Sequence, residues 1–386
     1  MDNLQPKIEY ALDGILSRDP GLAKEIAALR TSDVTAAAAE SLAAEFRGLA
    51  DDSTALAQAA RRYRVARPVL TVTRKHLDGM QRDTETLTWK DRIEAAGDKV
   101  FAAVDAVGRI EVKGNGDVRV AGTGFMIRPG VVATNQHVAA QFAEKKTDGG
   151  GFWFRLNLGG QEMSAAIDFL EEKGVPESLE FHVLEVLHME MDLIPDVAFL
   201  SVEATSGQTP LPAPLAFFTG EVKEGQWIAA VGYPERDTRE KHAQAMDAIF
   251  GDVYDKKRVS PGQVRGVDPD GRVVHDCSVL RGNSGSPLID LETGMVVGIH
   301  SVGEFLDDNF AVSAASAEAI LAGVEAAMPA AVRGTASPRD AAASAAAASS
   351  TDTGLGEMAV PSAAPTRGRA RRQRSGTHPS RASQAT

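Results

Sequence analysis

Asp276-Cys277-Ser278-Val279-Leu280-Arg281-Gly282-Asn283-Ser284-Gly285-Ser286-Pro287 is the stretch of this 386-residue chain on which the reading of the fold turns. A serine hydroxyl is a poor nucleophile on its own. It needs an imidazole to take its proton and a carboxylate to hold that imidazole in one tautomer. It also needs backbone N–H groups aimed at the developing oxyanion, and neighbouring glycines let the chain turn tightly enough to supply them. Ser284 is therefore the expected nucleophile, and the N–H groups of Gly282 and Ser284 are the expected oxyanion donors. A glycine-flanked serine also fits the nucleophile elbow of an α/β-hydrolase, but that fold places its histidine after its serine.

Here the candidate histidine lies far upstream. Gly122-Thr123-Gly124-Phe125-Met126-Ile127 is followed by Val131-Val132-Ala133-Thr134-Asn135-Gln136-His137-Val138, which puts His137 at the end of a small-residue strand. Between the two lies Pro195-Asp196-Val197-Ala198-Phe199-Leu200. Asp196 directly precedes an apolar run that can hold a buried carboxylate; Asp192 is the competing acid. Outward from these segments the texture is that of short strands. Arg109–Lys113 and Val118–Ile127 flank Asn115-Gly116, a hairpin signal because both turn positions favour φ > 0. Further runs follow at Val131–Thr134, Val197–Val202, Trp227–Val231, Val273–Val274, Pro287–Ile289 and Met295–Ile299. Many short strands separated by Gly and Pro argue a barrel or sandwich. A helix over about Trp89 to Val107 leads in, and one over Ala314 to Met328 closes the unit.

The order His, Asp, Ser and these local contexts resemble the trypsin-like, chymotrypsin-fold serine peptidases, most closely the bacterial disulfide-free branch that includes glutamyl endopeptidases. The resemblance covers about residues 105 to 320. It implies two six-stranded antiparallel β-barrels and peptide-bond hydrolysis through an acyl-enzyme on Ser284. His137 would be general base then acid, with Asp196 orienting it. It implies a polypeptide substrate and no cofactor. It places the base of the specificity pocket at Ser278, which is not acidic and so disfavours Arg or Lys selection. Val279 stands where glutamyl enzymes carry a hydroxyl. His300 sits where those enzymes use a histidine to bind an acidic side chain, Ser301 is expected to bond Asp196, and Ser301, Val302 and Gly303 are expected to pair with substrate as an added strand. One departure matters: Asn283 replaces the aspartate that pairs with a freed N-terminus in trypsin, so activation by that ion pair is not expected. A histidine base works only when neutral, so activity should rise over roughly pH 5.5 to 8.

The remainder divides the chain. Residues 1–90 read as helical, with Leu4, Ile8, Leu12 and Ile15, then Leu22, Ile26 and Leu29, at helical spacing. They form either a plain cap or a regulatory, partner-binding region. Residues 91–328 are the expected protease domain. Residues 329–386 are Ala-, Ser-, Pro- and Arg-rich and are expected to be disordered, because they cannot bury enough apolar surface to offset chain entropy. Eight Arg against three acids give that tail +5, so the net charge of −12 leaves −17 on residues 1–328. That balance disfavours a nucleic-acid groove in the folded part and leaves only the tail as a weak tether. The one cysteine, Cys277, excludes an intrachain disulfide and is read as a buried core thiol. With no leader pattern and no long apolar run, the expected location is the cytoplasm, away from membranes. His182 and His188 lack metal-site spacing, and Gly122-Thr123-Gly124 is not a dinucleotide loop. The rival to an active peptidase is a non-catalytic adaptor on the same fold.

Overall fold

Alternating β-branched and small residues pair into strands because one face of each can be buried while the ladder satisfies the backbone. The computed structural model describes residues 67–79, 88–114, 118–147, 149–192, 194–236, 243–303 and 308–327. The helical segments read within 1–66, the Asn115-Gly116 turn and the tail at 329–386 lie outside the described residues.

The described chain opens with a hairpin, β1 (Leu70–Thr73) and β2 (His76–Asp78), and then α1 (Thr88–Ala106), kinked at Gly97. The first barrel takes β3 (Val107–Lys113), β4 (Val118–Arg128) and β5 (Val131–Thr134), from which the short helix α2 (Gln136–Ala139) leads on. A side hairpin, β6 (Ala143–Lys145) and β7 (Phe152–Phe154), precedes β8 (Ser164–Asp168), β9 (Glu180–Met189) and β10 (Ala198–Val202). These close antiparallel in the order β10-β5-β4-β3-β8-β9, with Lys113 opposite Val118 across the first expected hairpin. Ile110, Phe125, Val132, Phe181 and Phe199 fill its interior with essentially no exposure.

A small hairpin, β11 (Thr205–Ser206) and β12 (Thr209–Pro210), leads to the second barrel: β13 (Trp227–Gly232), helix α3 (Ala243–Phe250), β14 (Arg258–Val267), β15 (Val273–His275), β16 (Pro287–Asp290), β17 (Val296–Gly303) and β18 (Asn309–Ser313). Its order is β13-β16-β17-β18-β15-β14, and pairing of β13 with β14 closes it. Helix α4 (Ala314–Ala327) follows. Ile228, Val264, Val273, Cys277, Leu288, Val297 and Ala311 pack its core. The expected pair of six-stranded antiparallel barrels is present. Tyr233 and Lys257 weld them: the Tyr233 hydroxyl reaches the Val107 carbonyl at 3.3 Å, and the fully buried Lys257 ammonium donates to the carbonyls of Val104 (2.7 Å) and Phe169 (2.6 Å). Among the described residues no helix is long and apolar enough to cross a membrane.

One boundary needs correcting. The helical region was expected to run to residue 90, yet 67–79 is a β-hairpin added to the second barrel, with Leu70 opposite Val259. Leu70-Thr71-Val72-Thr73 alternates apolar with Thr and has three β-branched residues, and Leu70 and Val72 are fully buried. Arg67, also fully buried, forms an ion pair with Asp276 at 2.8 Å. A chain beginning at residue 88 should therefore be much less stable than one beginning near 64. Stranding Asp276 alone costs on the order of 3–5 kcal/mol, and lost burial of Leu70 and Val72 adds roughly 1.5–3 kcal/mol each. Urea midpoints measure the difference; equal midpoints would mean the hairpin is dispensable.

Candidate active site

β5 ends at Thr134, and the turn into α2 delivers His137 to the rim of the first barrel. Asp196 lies just before β10, which pairs with β5 through Ala198 and Thr134, so the two barrel strands bring acid and imidazole together. His137 Nδ1 lies 2.7 Å from Asp196 Oδ2, and the His137 backbone N–H donates to Asp196 Oδ1 at 3.1 Å. The Ser301 hydroxyl donates to Asp196 Oδ2 at 2.5 Å, as expected for that residue. Asn135, which the sequence reading passed over, donates from its side chain to the Asp196 carbonyl at 2.8 Å and fixes the backbone. Burial pulls the Asp196 carboxyl up, but its bonds to His137 and Ser301 and the nearby imidazole outweigh this and hold it below the usual carboxylate range. Asp192, the competing acid, is exposed and makes no hydrogen bond to His137.

Ser284 sits in the turn between β15 and β16. Gly282 (φ 83°) and Gly285 (φ 89°) occupy the left-handed region, and a Cβ on Gly285 would lie 2.0 Å from the Thr123 carbonyl. Only glycine fits there. The turn leaves the N–H groups of Gly282 and Ser284 without a partner in the described chain, whereas their neighbours Asn283 and Gly285 donate to Leu280 and His300. Unpaired amides beside a serine are ready to bind an anionic oxygen. The Ser284 hydroxyl points to the Ser301 carbonyl at 3.3 Å and has no bond to His137. Asn283 is buried, and its side-chain oxygen accepts from the Ser286 hydroxyl at 3.4 Å.

The expected specificity residues fall around this turn. Val302 and Gly303 are exposed along β17, available to an added strand, and a pocket beside Asp196 is lined by Ile194, Arg272, Ser301 and Val302. Ser278 is buried rather than open, its hydroxyl donating to the Arg67 carbonyl at 3.0 Å. His300 is buried with Nδ1 3.2 Å from His275 Nε2, and His275 Nδ1 accepts the Cys277 N–H at 3.3 Å. That chain fixes the tautomers: His275 donates from Nε2, so His300 carries its own proton on Nε2. The His300 Nε2–H has no partner in the described chain. Burial pushes His275 down to about 3; burial, with the neighbouring His275 and His137, drives His300 well below the usual histidine range, so both are neutral. Burial raises the Cys277 thiol, as befits a core residue. Among the described residues no cluster of three metal-binding side chains occurs.

Comparison with known proteins gave the following similarities. A family model described as trypsin-like peptidase domain matches residues 122–299. The protease Do-like 14 of Arabidopsis thaliana is 30% identical over 109 residues, which is 28% of this chain and 23% of that protein. Similar solved structures include the serine endoprotease from Yersinia pestis, at 18% identity and TM-score 0.41 over 59% of this chain and 66% of that one. They also include the active form of the Rv3671c protease from M. tuberculosis, at 24% identity and TM-score 0.37 over 60% and 86%. The two closed barrels define the class, a chymotrypsin-like fold, and the matched segment is similar to a trypsin-like peptidase domain.

The buried histidine pair predicts a pH dependence of stability. His275 is neutral in the fold, with its pKa depressed to about 3, and takes up a proton near pH 6.5 when unfolded. Its contribution is complete above pH 6.5 and is lost as pH falls from there toward 3, at about 1 kcal/mol per unit. Urea midpoints at pH 7 and 4.5 should fall less in His275→Gln than in the wild type; equal losses would contradict the assignment.

Proposed function

We propose that this chain is a serine endopeptidase, with Ser284 as nucleophile, His137 as general base and acid, and Asp196 as the orienting carboxylate. The observation that carries the reading is the Ser301–Asp196–His137 hydrogen-bonded array facing a serine turn with two unpaired amides. In the reaction, Ser284 Oγ rotates from the Ser301 carbonyl toward His137 and attacks the peptide carbonyl. His137 Nε2 takes the hydroxyl proton and then gives it to the leaving amine. The Gly282 and Ser284 amides hold the oxyanion, and water releases the acyl group by the same steps in reverse. Because Asn283 is neutral and its side-chain oxygen accepts from Ser286 within the turn, no freed N-terminus is needed to balance a charge there.

The substrate is a polypeptide laid along Ser301–Gly303. A side chain reaching the base of the proposed specificity pocket would meet the Nε2–H of neutral His300 and a hydroxyl rather than a carboxylate at Ser278. A neutral donor selects an acceptor, so Glu is favoured and Lys or Arg disfavoured. Residues 1–66, upstream of the barrels, are the proposed regulatory or partner-binding part. One observation favours a second reading, a binding scaffold without turnover: the Ser284 hydroxyl bonds Ser301 rather than His137. Resting enzymes often show such loose geometry.

Turnover separates the readings. Ser284→Ala and His137→Ala should abolish hydrolysis of a peptide ester while keeping the fold, and Asp196→Asn should lower it on the order of 10⁴-fold. Near-normal turnover in Ser284→Ala, or a silent wild type, would overturn the peptidase reading. Among peptides differing only in the residue before the cleaved bond, Glu should be cleaved at least about tenfold faster than Lys, since a pocket polar contact discriminates strongly. Preference for Lys would overturn the His300 assignment.

A further inference from the structure

Residues 276–280, which the proposed function puts at the base of the specificity pocket, belong to no strand: β15 ends at His275 and β16 starts at Pro287. An irregular segment has no ladder to fix it, so side-chain bonds must do so. Asn309 holds the Cys277 carbonyl at 3.2 Å, and the Gln263 carbonyl accepts the Asp276 N–H at 3.2 Å. The Cys277 N–H donates to His275 Nδ1 at 3.3 Å, the Gln263 N–H donates to Asp276 Oδ1 at 2.7 Å, and further bonds come from one residue 209 positions away from Asp276. Arg67 Nε and Nη2 grip the Asp276 carboxylate as a fork at 2.8 Å each, and Nη2 also donates to Gln263 Oε1 at 3.1 Å. The guanidinium lies over the Trp227 ring at 5.6 Å, and the Arg67 carbonyl accepts the Ser278 hydroxyl. Arg67 thus holds two residues of the floor, one by its side chain and one by its backbone, while being wholly buried.

We infer that Arg67 is a positioning residue for substrate selection, setting the floor of the pocket from behind. This rests on the peptidase reading above. Lysine cannot replace it, because a point charge does not reproduce the planar fork.

The test uses the full chain as wild type, Arg67→Lys and Gln263→Met. The last removes one guanidinium partner but keeps the ion pair and the volume. Three readouts are taken: kcat and KM on a Glu-containing peptide ester, the labelling rate with diisopropyl fluorophosphate, and the thermal midpoint. The small reagent reports on Ser284 without filling the pocket. Arg67→Lys should raise KM at least tenfold and Gln263→Met about threefold, with labelling rates within twofold of wild type. Should Arg67→Lys not fold, the Gln263→Met shift decides. Unchanged KM in the folded variants would overturn the inference alone, as would losses of kcat and labelling that only follow the folded fraction. A wild type that neither labels nor turns over would overturn the peptidase reading, and this inference with it.

Discussion

Everything at the candidate site depends on one seam between the barrels, the grip of Thr123 on the serine turn. The Thr123 N–H donates to the Ser284 carbonyl at 2.8 Å, and its hydroxyl donates to the Gly282 carbonyl at 2.7 Å. The same hydroxyl accepts the Tyr233 N–H at 3.3 Å, and the Thr123 carbonyl accepts the Thr134 hydroxyl at 2.7 Å. Thr123 belongs to β4 and Thr134 to β5, the strand that leads to His137. A single buried residue therefore ties the imidazole-bearing barrel to the turn of the other. By engaging the Gly282 and Ser284 carbonyls, it fixes the direction in which the remaining amides face.

Burial does opposite things to the charges around that seam. The Asp196 carboxylate stays ionised because hydrogen-bond donors surround it, and those donors include the His137 ring and backbone. The His275–His300 pair meets no carboxylate in its bonds and stays neutral. The Asp196 carboxylate can therefore stabilise a protonated His137, while His300 remains a neutral imidazole. Desolvation and hydrogen bonding, set by fold position, divide these roles between residues of ordinary chemistry.

Much of this was legible in the sequence. Local context marked His137, Asp196 and Ser284, because strand ends and glycine turns are set by neighbouring residues. The strands Val131–Thr134 and Val197–Val202 and the closing helix fall where apolar patterning put them. The hairpin at 67–79 was missed although Leu70-Thr71-Val72-Thr73 alternates, since an Ala-rich window of ninety residues outweighed four β-formers. The role of Thr123 was hidden inside a strand signal. Arg67 gave no sign at all: a lone arginine before a proline becomes meaningful only when folding brings it to Asp276 and Ser278. For the same reason nothing near Ser278, which the resemblance places at the base of the specificity pocket, signalled that its hydroxyl is tied to Arg67.

The account stands on Ser284 being a nucleophile activated by its neighbours. Peptide mapping by mass spectrometry after exposure to a fluorophosphonate measures this most directly. The account predicts one adduct, on the peptide containing Ser284, formed far more slowly in His137→Ala. An adduct elsewhere, or none in the folded wild-type chain, would contradict it.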